Sequence, residues 1–236
     1  LDLSCNLIKI PSTKDSLNEI DKVLEITKKE LKDFPLKEFS KNNSKSLVFY
    51  NQKTLPSKFK TILNAHLDVV SAKPEQYLPK IIGNKLWGRG SLDMKAPAAV
   101  EILVFKELAK KVKYPLGLQI VTDEEIGGHN GTGYQIEKGI RAEFAIAGEY
   151  TNLLINNRAK GPLWIKVTAK GKTSHGAYVW QGINAIQKMN RFINAMNKLY
   201  PIPKKEAWVT TQNLAKIETT NETVNKVPDN CTSTFD

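Results

Sequence analysis

Thr61-Ile62-Leu63-Asn64-Ala65, running directly into His66-Leu67-Asp68, sets the architecture. The first five residues form a short, largely apolar run of the length of a buried strand. A histidine and an aspartate then stand two residues apart at its end. The same arrangement recurs downstream. Residues 116–122 are a second apolar run, followed by Asp123-Glu124-Glu125. Residues 143–147 are a third, followed by Gly148-Glu149. Between the first two runs, residues 95–112 place Ala98, Ile102, Phe105, Ala109 and Val112 at spacings of three and four, the stripe of an amphipathic helix. Residues 15–33 carry Leu17, Ile20, Leu24 and Leu31 on a similar stripe. Strands alternating with helices predict an α/β layered domain with a central sheet flanked by helices.

The pattern changes near residue 158. Residues 163–170 alternate, with Leu163, Ile165, Val167 and Ala169 on one face of a half-exposed strand. A helical stripe follows at Ile183, Ile186, Met189, Ile193, Met196 and Tyr200, and then extended stretches near 207–217 and 223–235. Strand, helix, strand, strand is an α+β two-layer unit. The polar turn Asn156-Asn157-Arg158-Ala159-Lys160-Gly161 marks the change, giving expected domains of 1–158 and 159–236.

Bulk properties exclude several classes. The chain has 236 residues, 41% hydrophobic and 25% charged, with a formal net charge of +11. The lysines are scattered over helix faces, as at Lys28, Lys29 and Lys32, with no basic run interleaved with aromatics. The charge therefore predicts no nucleic-acid partner. No apolar run has the length of a membrane span, which predicts no membrane partner. Cys5 and Cys231 are far apart and lack CxxC spacing, which argues against a cysteine metal site and for a reducing, cytoplasmic location. Gly88-Arg89-Gly90 does not continue as a dinucleotide fingerprint, so hydride transfer is disfavoured.

In open α/β sheets, sites form beyond the carboxyl ends of the strands. His66, Asp68, Glu124, Glu125 and Glu149 all stand there, and Asp93 lies in the loop before the helix of residues 95–112. Taken singly, each has an ordinary reading: a core-edge histidine, a solvated glutamate pair, a helix-capping aspartate. Together, clustered carboxylates repel one another and need a cation. In extended backbone His66 and Asp68 face the same side, so the Asp68 carboxylate is expected to accept the second ring N–H of His66. Adjacent Glu124 and Glu125 diverge, one toward a metal and one toward water. One histidine with several carboxylates suits zinc, cobalt or manganese in a paired site. His129, in the glycine-rich loop after Glu125, is expected to be a solvent-facing loop residue and not a replacement ligand.

Four motifs in order, His66-Leu67-Asp68-Val69-Val70, Gly88-Arg89-Gly90-Ser91-Leu92-Asp93-Met94-Lys95, Thr122-Asp123-Glu124-Glu125-Ile126-Gly127-Gly128 and Gly148-Glu149, resemble those of the di-zinc family of acetylornithine deacetylase, succinyl-diaminopimelate desuccinylase, aminoacylase and glutamate carboxypeptidase. The likeness extends through Gly171-Lys172-Thr173-Ser174-His175-Gly176-Ala177, Gly182-Ile183-Asn184-Ala185-Ile186 and Asn225-Lys226-Val227-Pro228-Asp229, which are similar to that family's lid, or dimerisation, domain.

The resemblance implies a metal-dependent hydrolase that cleaves the amide bond of N-acyl amino acids or small peptides with a free carboxylate. It implies two divalent metal ions, zinc foremost. Asp93 would bridge them, His66 and Glu149 would complete the protein ligands of one, and Glu125 would bind the other. Glu124 would be the general base, Asp68 would orient His66, His175 would polarise the scissile carbonyl, and Asn225 would lie near substrate. It further implies a homodimer formed through the lid. Tyr150 stands where the family has proline, so the adjoining loop is expected to differ. The family's remaining histidine ligand comes from near its C-terminus. The chain is therefore expected to be an N-terminal fragment with an incomplete lid, inactive in isolation. A metal-free homologue serving as a binding or scaffold protein is the alternative.

Overall fold

In the computed structural model, which describes residues 1–236, the chain divides into two compact units, 1–155 and 156–236. The first begins with helices α1 (Asp2–Ile8) and α2 (Leu17–Glu30). The hairpin β1 (Leu36–Lys41) and β2 (Ser44–Tyr50) follows, then β3 (Phe59–His66) and the short pair β4 (Lys80–Ile82) and β5 (Lys85–Trp87). Helix α3 (Lys95–Leu108), strand β6 (Leu116–Val121), helix α4 (Thr132–Glu137) and strand β7 (Ala142–Ala147) complete it.

The main sheet has the order β1-β2-β6-β3-β7. β3 pairs in parallel with both β6 and β7, while β2 pairs antiparallel with β1 and β6. One face carries Leu47, Phe49, Leu63, Ala65, Leu116, Leu118 and Ile120. These residues pack on Leu7 of α1, on Ile20, Val23 and Leu24 of α2, and on Ala98, Ile102 and Phe105 of α3. The other face buries Phe39, Val48, Phe59 and Ile62 with Ile140. The central sheet flanked by helices agrees with the expectation from sequence.

The β1–β2 hairpin was not expected. Its outer strand is Leu-Lys-Glu-Phe-Ser-Lys, too polar to register as a buried run. Its turn is nevertheless written in the sequence: Asn42 and Asn43 hold φ of 48° and 66°, the conformation that favours asparagine in two-residue hairpin turns. Helix α3 stops at Leu108, four residues short of the expected stripe, and Val112 N–H closes a final turn onto the Leu108 carbonyl.

Lys95 opens α3 from a fully buried position. Its Nζ donates to the carbonyls of Leu7 (3.0 Å) and Ile10 (2.5 Å), tying α3 to the end of α1. Burial lowers its pKa to about 7, against the opposing pull of Asp68 and Glu19.

The second unit contains β8 (Ile165–Lys170), α5 (Ala185–Leu199), β9 (Leu214–Glu218) and β10 (Asn230–Phe235). The three strands form an antiparallel sheet in the order β8-β10-β9. Ala185, Met189 and Ile193 of α5 cover Val167 and Ala169 of β8 and Cys231 of β10. The Asn184 side chain caps α5 by accepting from Gln187 N–H. Cys5 and Cys231 are both free thiols.

Candidate active site

Parallel pairing brings the carboxyl ends of β3, β6 and β7 to one edge, with His66 opposite Val121 and Asn64 opposite Ala147. His66, the last residue of β3, is buried at 1% exposure. Its Nδ1 lies 3.0 Å from the backbone carbonyl of Asp68, with the Asp68 Oδ1 at 3.4 Å. The expected ring contact is therefore made first by the Asp68 main chain. The carboxylate stands behind the ring, and its Oδ2 accepts the backbone N–H of Glu125 at 3.0 Å.

The other ring nitrogen faces a group of carboxylates. His66 Nε2 lies 2.9 Å from Asp93 Oδ1, 3.4 Å from Glu149 Oε1 and 3.9 Å from Glu124 Oε2. Ligating atoms of His66, Asp93 and Glu149 all lie within 4.8 Å of one another. Burial alone would lower the His66 pKa, but hydrogen bonding and charge from Asp68 and Glu149 outweigh it and raise the value to about 11. The site thus stabilises positive charge at Nε2. With Nδ1 committed to a carbonyl, Nε2 presents either a proton or a lone pair to its neighbours. One imidazole nitrogen and two carboxylate oxygens at these separations fit a divalent metal ion.

Glu124 and Glu125 occupy a single 3-10 turn, Glu124–Ile126. The Glu124 pKa is raised by partial burial, with Glu149, Asp68 and Glu125 adding to the rise and His66 opposing it. That of Glu125 is raised by partial burial and by Asp93. Glu125 does not join the three clustered groups; its Oε1 accepts from Val70 N–H at 3.3 Å. The loop then turns through Gly127 and Gly128, with φ of 105° and 67°, values that exclude most side chains. His129 is exposed and lies outside the cluster.

In the second unit, His175 is exposed and its Nδ1 accepts from Ala177 N–H at 3.1 Å, leaving the proton of the neutral ring on Nε2. Asn225 is drawn beside it through main-chain contacts: Gly176 N–H donates to the Asn225 carbonyl, and His175 bridges to Lys226.

Two residues with a part in this architecture were not picked out from sequence. Asp123 gathers four loop N–H groups. Its carbonyl accepts from Ile126 and Gly128, and its Oδ2 from Asn130 (2.8 Å) and Gly131 (2.9 Å). Glu101, on α3, is buried with both carboxyl oxygens unpartnered, and burial followed by the charge of Glu149 raises its pKa to about 8. It stands three residues after Ala98, on the apolar stripe. A carboxylate in a buried row was the signal.

The sequence profile of Peptidase family M20/M25/M40 matches residues 62–225, the segment that contains His66, Asp68, Asp93, Glu124, Glu125, Glu149, His175 and Asn225. The chain belongs to that family. It is 30% identical over 199 residues to the succinyl-diaminopimelate desuccinylase of Corynebacterium glutamicum, covering 81% of this chain and 52% of that protein. It is 32% identical over 155 residues to a protein named "Probable carboxypeptidase" in Paracoccidioides brasiliensis, covering 61% of this chain and 35% of that protein. The chain thus spans about a third to a half of these relatives. Among solved structures, a Staphylococcus aureus tripeptidase superposes with a TM-score of 0.66 at 20% identity, covering 99% of this chain and 64% of that one. An M20 family metallo-carboxypeptidase of Sulfolobus solfataricus gives 0.67 at 14% identity, covering 98% and 69%. Both share the fold of this chain. No helix of the chain is long and apolar enough to cross a membrane.

Proposed function

We propose that the protein is a metal-dependent amide hydrolase acting on N-acyl amino acids or small peptides that carry a free carboxylate. The observation that carries this reading is the convergence of His66 Nε2, Asp93 and Glu149 on one point, with the Glu124 carboxylate 3.9 Å from the same ring nitrogen. His66, Asp93 and Glu149 would hold one divalent ion, zinc in the first instance. Asp93 and Glu125 would contribute to a second. When bound, such ions supply Lewis-acid polarisation of a carbonyl and activation of water.

The chain's own groups perform the remaining steps. Glu124, with its raised pKa, takes a proton from the attacking water and delivers it to the leaving amine. Asp68 fixes the His66 ring from behind through its main-chain carbonyl and holds the Glu125 backbone through its carboxylate, so one residue positions two ligands. His175, with its proton on Nε2, donates to the scissile carbonyl oxygen, and Asn225 contacts the substrate. In this reading residues 1–158 are the catalytic domain. Residues 159–236 belong to a lid that also pairs two copies of the chain.

The test is an amine-release screen of the full-length protein against N-acetyl and N-succinyl amino acids and dipeptides, run beside Glu124→Ala. Turnover of at least one class, lost in the variant, is expected. Equal turnover in both proteins, or none on any amide carrying a free carboxylate, would refute the assignment.

A further inference from the structure

Glu101 lies outside the ligand cluster, yet its contacts link the two elements that carry Asp93 and Glu149. Asp93 immediately precedes Met94, the N-cap of α3, and Glu101 lies about two turns into that helix. Gly148 immediately precedes Glu149. A Cβ placed on Gly148 would lie 2.8 Å from the Glu101 Cδ and Oε1 and 3.1 Å from its Cγ, so the carboxyl packs directly against the Gly148 main chain. Gly148 N–H also donates to the Asn64 carbonyl of β3 at 3.2 Å. The residue before Glu149 is therefore held between the strand that ends in His66 and the helix that follows Asp93. Glu101 is 7% exposed and neither carboxyl oxygen has a partner, so its place is not explained by local hydrogen bonding.

We infer that Glu101 is a positioning residue, a strut from α3 that fixes the separation of Glu149 from Asp93 and thereby the geometry of the metal site. Gly148 is the complementary feature, because the strut occupies the space a side chain would need. The inference rests on the metal-site reading of His66, Asp93 and Glu149.

The experiment measures zinc affinity by chelator competition in the full-length wild type, Glu101→Ala, Glu101→Gln, Gly148→Ala and the Glu101→Ala/Gly148→Ala double variant. Circular dichroism of the metal-free proteins accompanies it. Glu101→Ala should bind zinc about tenfold more weakly, as for loss of an outer support, while the near-isosteric Glu101→Gln stays within about threefold of wild type. Gly148→Ala, which displaces the strut, should also bind more weakly. The double variant, in which the new methyl group occupies the vacated space, should recover part of the loss. In turnover, kcat should fall further than KM rises, because the substrate contacts are elsewhere. A general loss of helix stability would not be repaired by a second substitution at Gly148, so compensation separates a strut from a structural residue. Wild-type affinity in Glu101→Ala, or losses that add in the double variant, would overturn the inference. If Glu101→Ala does not fold, wild-type affinity in Gly148→Ala has the same consequence. Absence of zinc binding by the wild type would instead remove the metal-site reading itself.

Discussion

Removing the Asp123 side chain should unfasten the loop that carries Glu124 and Glu125. The carboxylate is 1% exposed, and its Oδ2 receives Asn130 N–H and Gly131 N–H at 2.8 and 2.9 Å. A hydrogen bond to a charged group contributes ~1.5–3 kcal/mol, and a buried N–H left without a partner adds a further penalty. Two such bonds, one of them to a partly buried donor that water can reach, give about 3–5 kcal/mol for Asp123→Ala. Asp123→Asn keeps an acceptor oxygen and exchanges charged for neutral bonds, so about 1–2 kcal/mol is expected. Gly131→Ala should resemble Asp123→Ala, because its methyl group would collide with Asp123 Oδ1. Urea unfolding of the metal-free proteins measures all three, with m-values checking that the transitions remain comparable. An Asp123→Ala protein within about 1 kcal/mol of wild type, or one indistinguishable from Asp123→Asn, would refute the reasoning, since the magnitude depends on charge-assisted bonds to buried donors.

Glu124→Ala should retain wild-type metal content while turnover falls by about 10²–10⁴; loss of metal instead would mean that the roles of Glu124 and Glu125 are exchanged. The folded-state pKa of Glu101, about 8, lies above its ordinary 4.5, so the metal-free folded protein keeps a proton that the unfolded chain releases. Its stability cost is absent below pH 4.5, grows as pH rises and is complete above pH 8. Relative to Glu101→Gln, the metal-free wild type should lose on the order of 4 kcal/mol between pH 4.5 and 8. Comparing the two proteins cancels the contribution of His66, which is lost as pH rises through about 11, and that of Lys95, whose penalty below about 7 is relieved toward 10.5. Parallel pH profiles would contradict the assignment to Glu101. Mixed dimers of His175→Ala and Glu124→Ala subunits should regain activity if His175 acts across a dimer interface; demonstrably mixed dimers without activity would place its action elsewhere.

What the sequence disclosed depended on whether a residue's role is carried by its type or by its main chain. β3, β6 and β7 were legible because each is a largely apolar run ending in ligand-type residues, and parallel pairing then carried those ends to one edge. The outer strand of the β1–β2 hairpin is polar, and α1 and α4, at seven and six residues, are too short to establish a periodic stripe. Convergence of His66, Asp93 and Glu149 followed from topology. The contact behind His66 was harder to foresee, because a main-chain carbonyl leaves no signature in residue identity. Glu101 was passed over because a carboxylate on an apolar stripe reads as an interruption, although its position three residues after Ala98 required it to point inward. Asp123 was quoted within a motif, but its four loop donors become visible only once the backbone between residues 123 and 131 is traced.

Amide hydrolysis is expected to depend on a metal ion held by the cluster around His66. The most direct test of that dependence is to strip the full-length protein with a chelator and titrate zinc back while following bound metal and amine release together, beside His66→Ala. Hydrolysis should vanish on stripping and return with metal occupancy in the wild type, and His66→Ala should recover neither at the same zinc concentration. Undiminished hydrolysis by the stripped wild type, or wild-type zinc binding by His66→Ala, would contradict it.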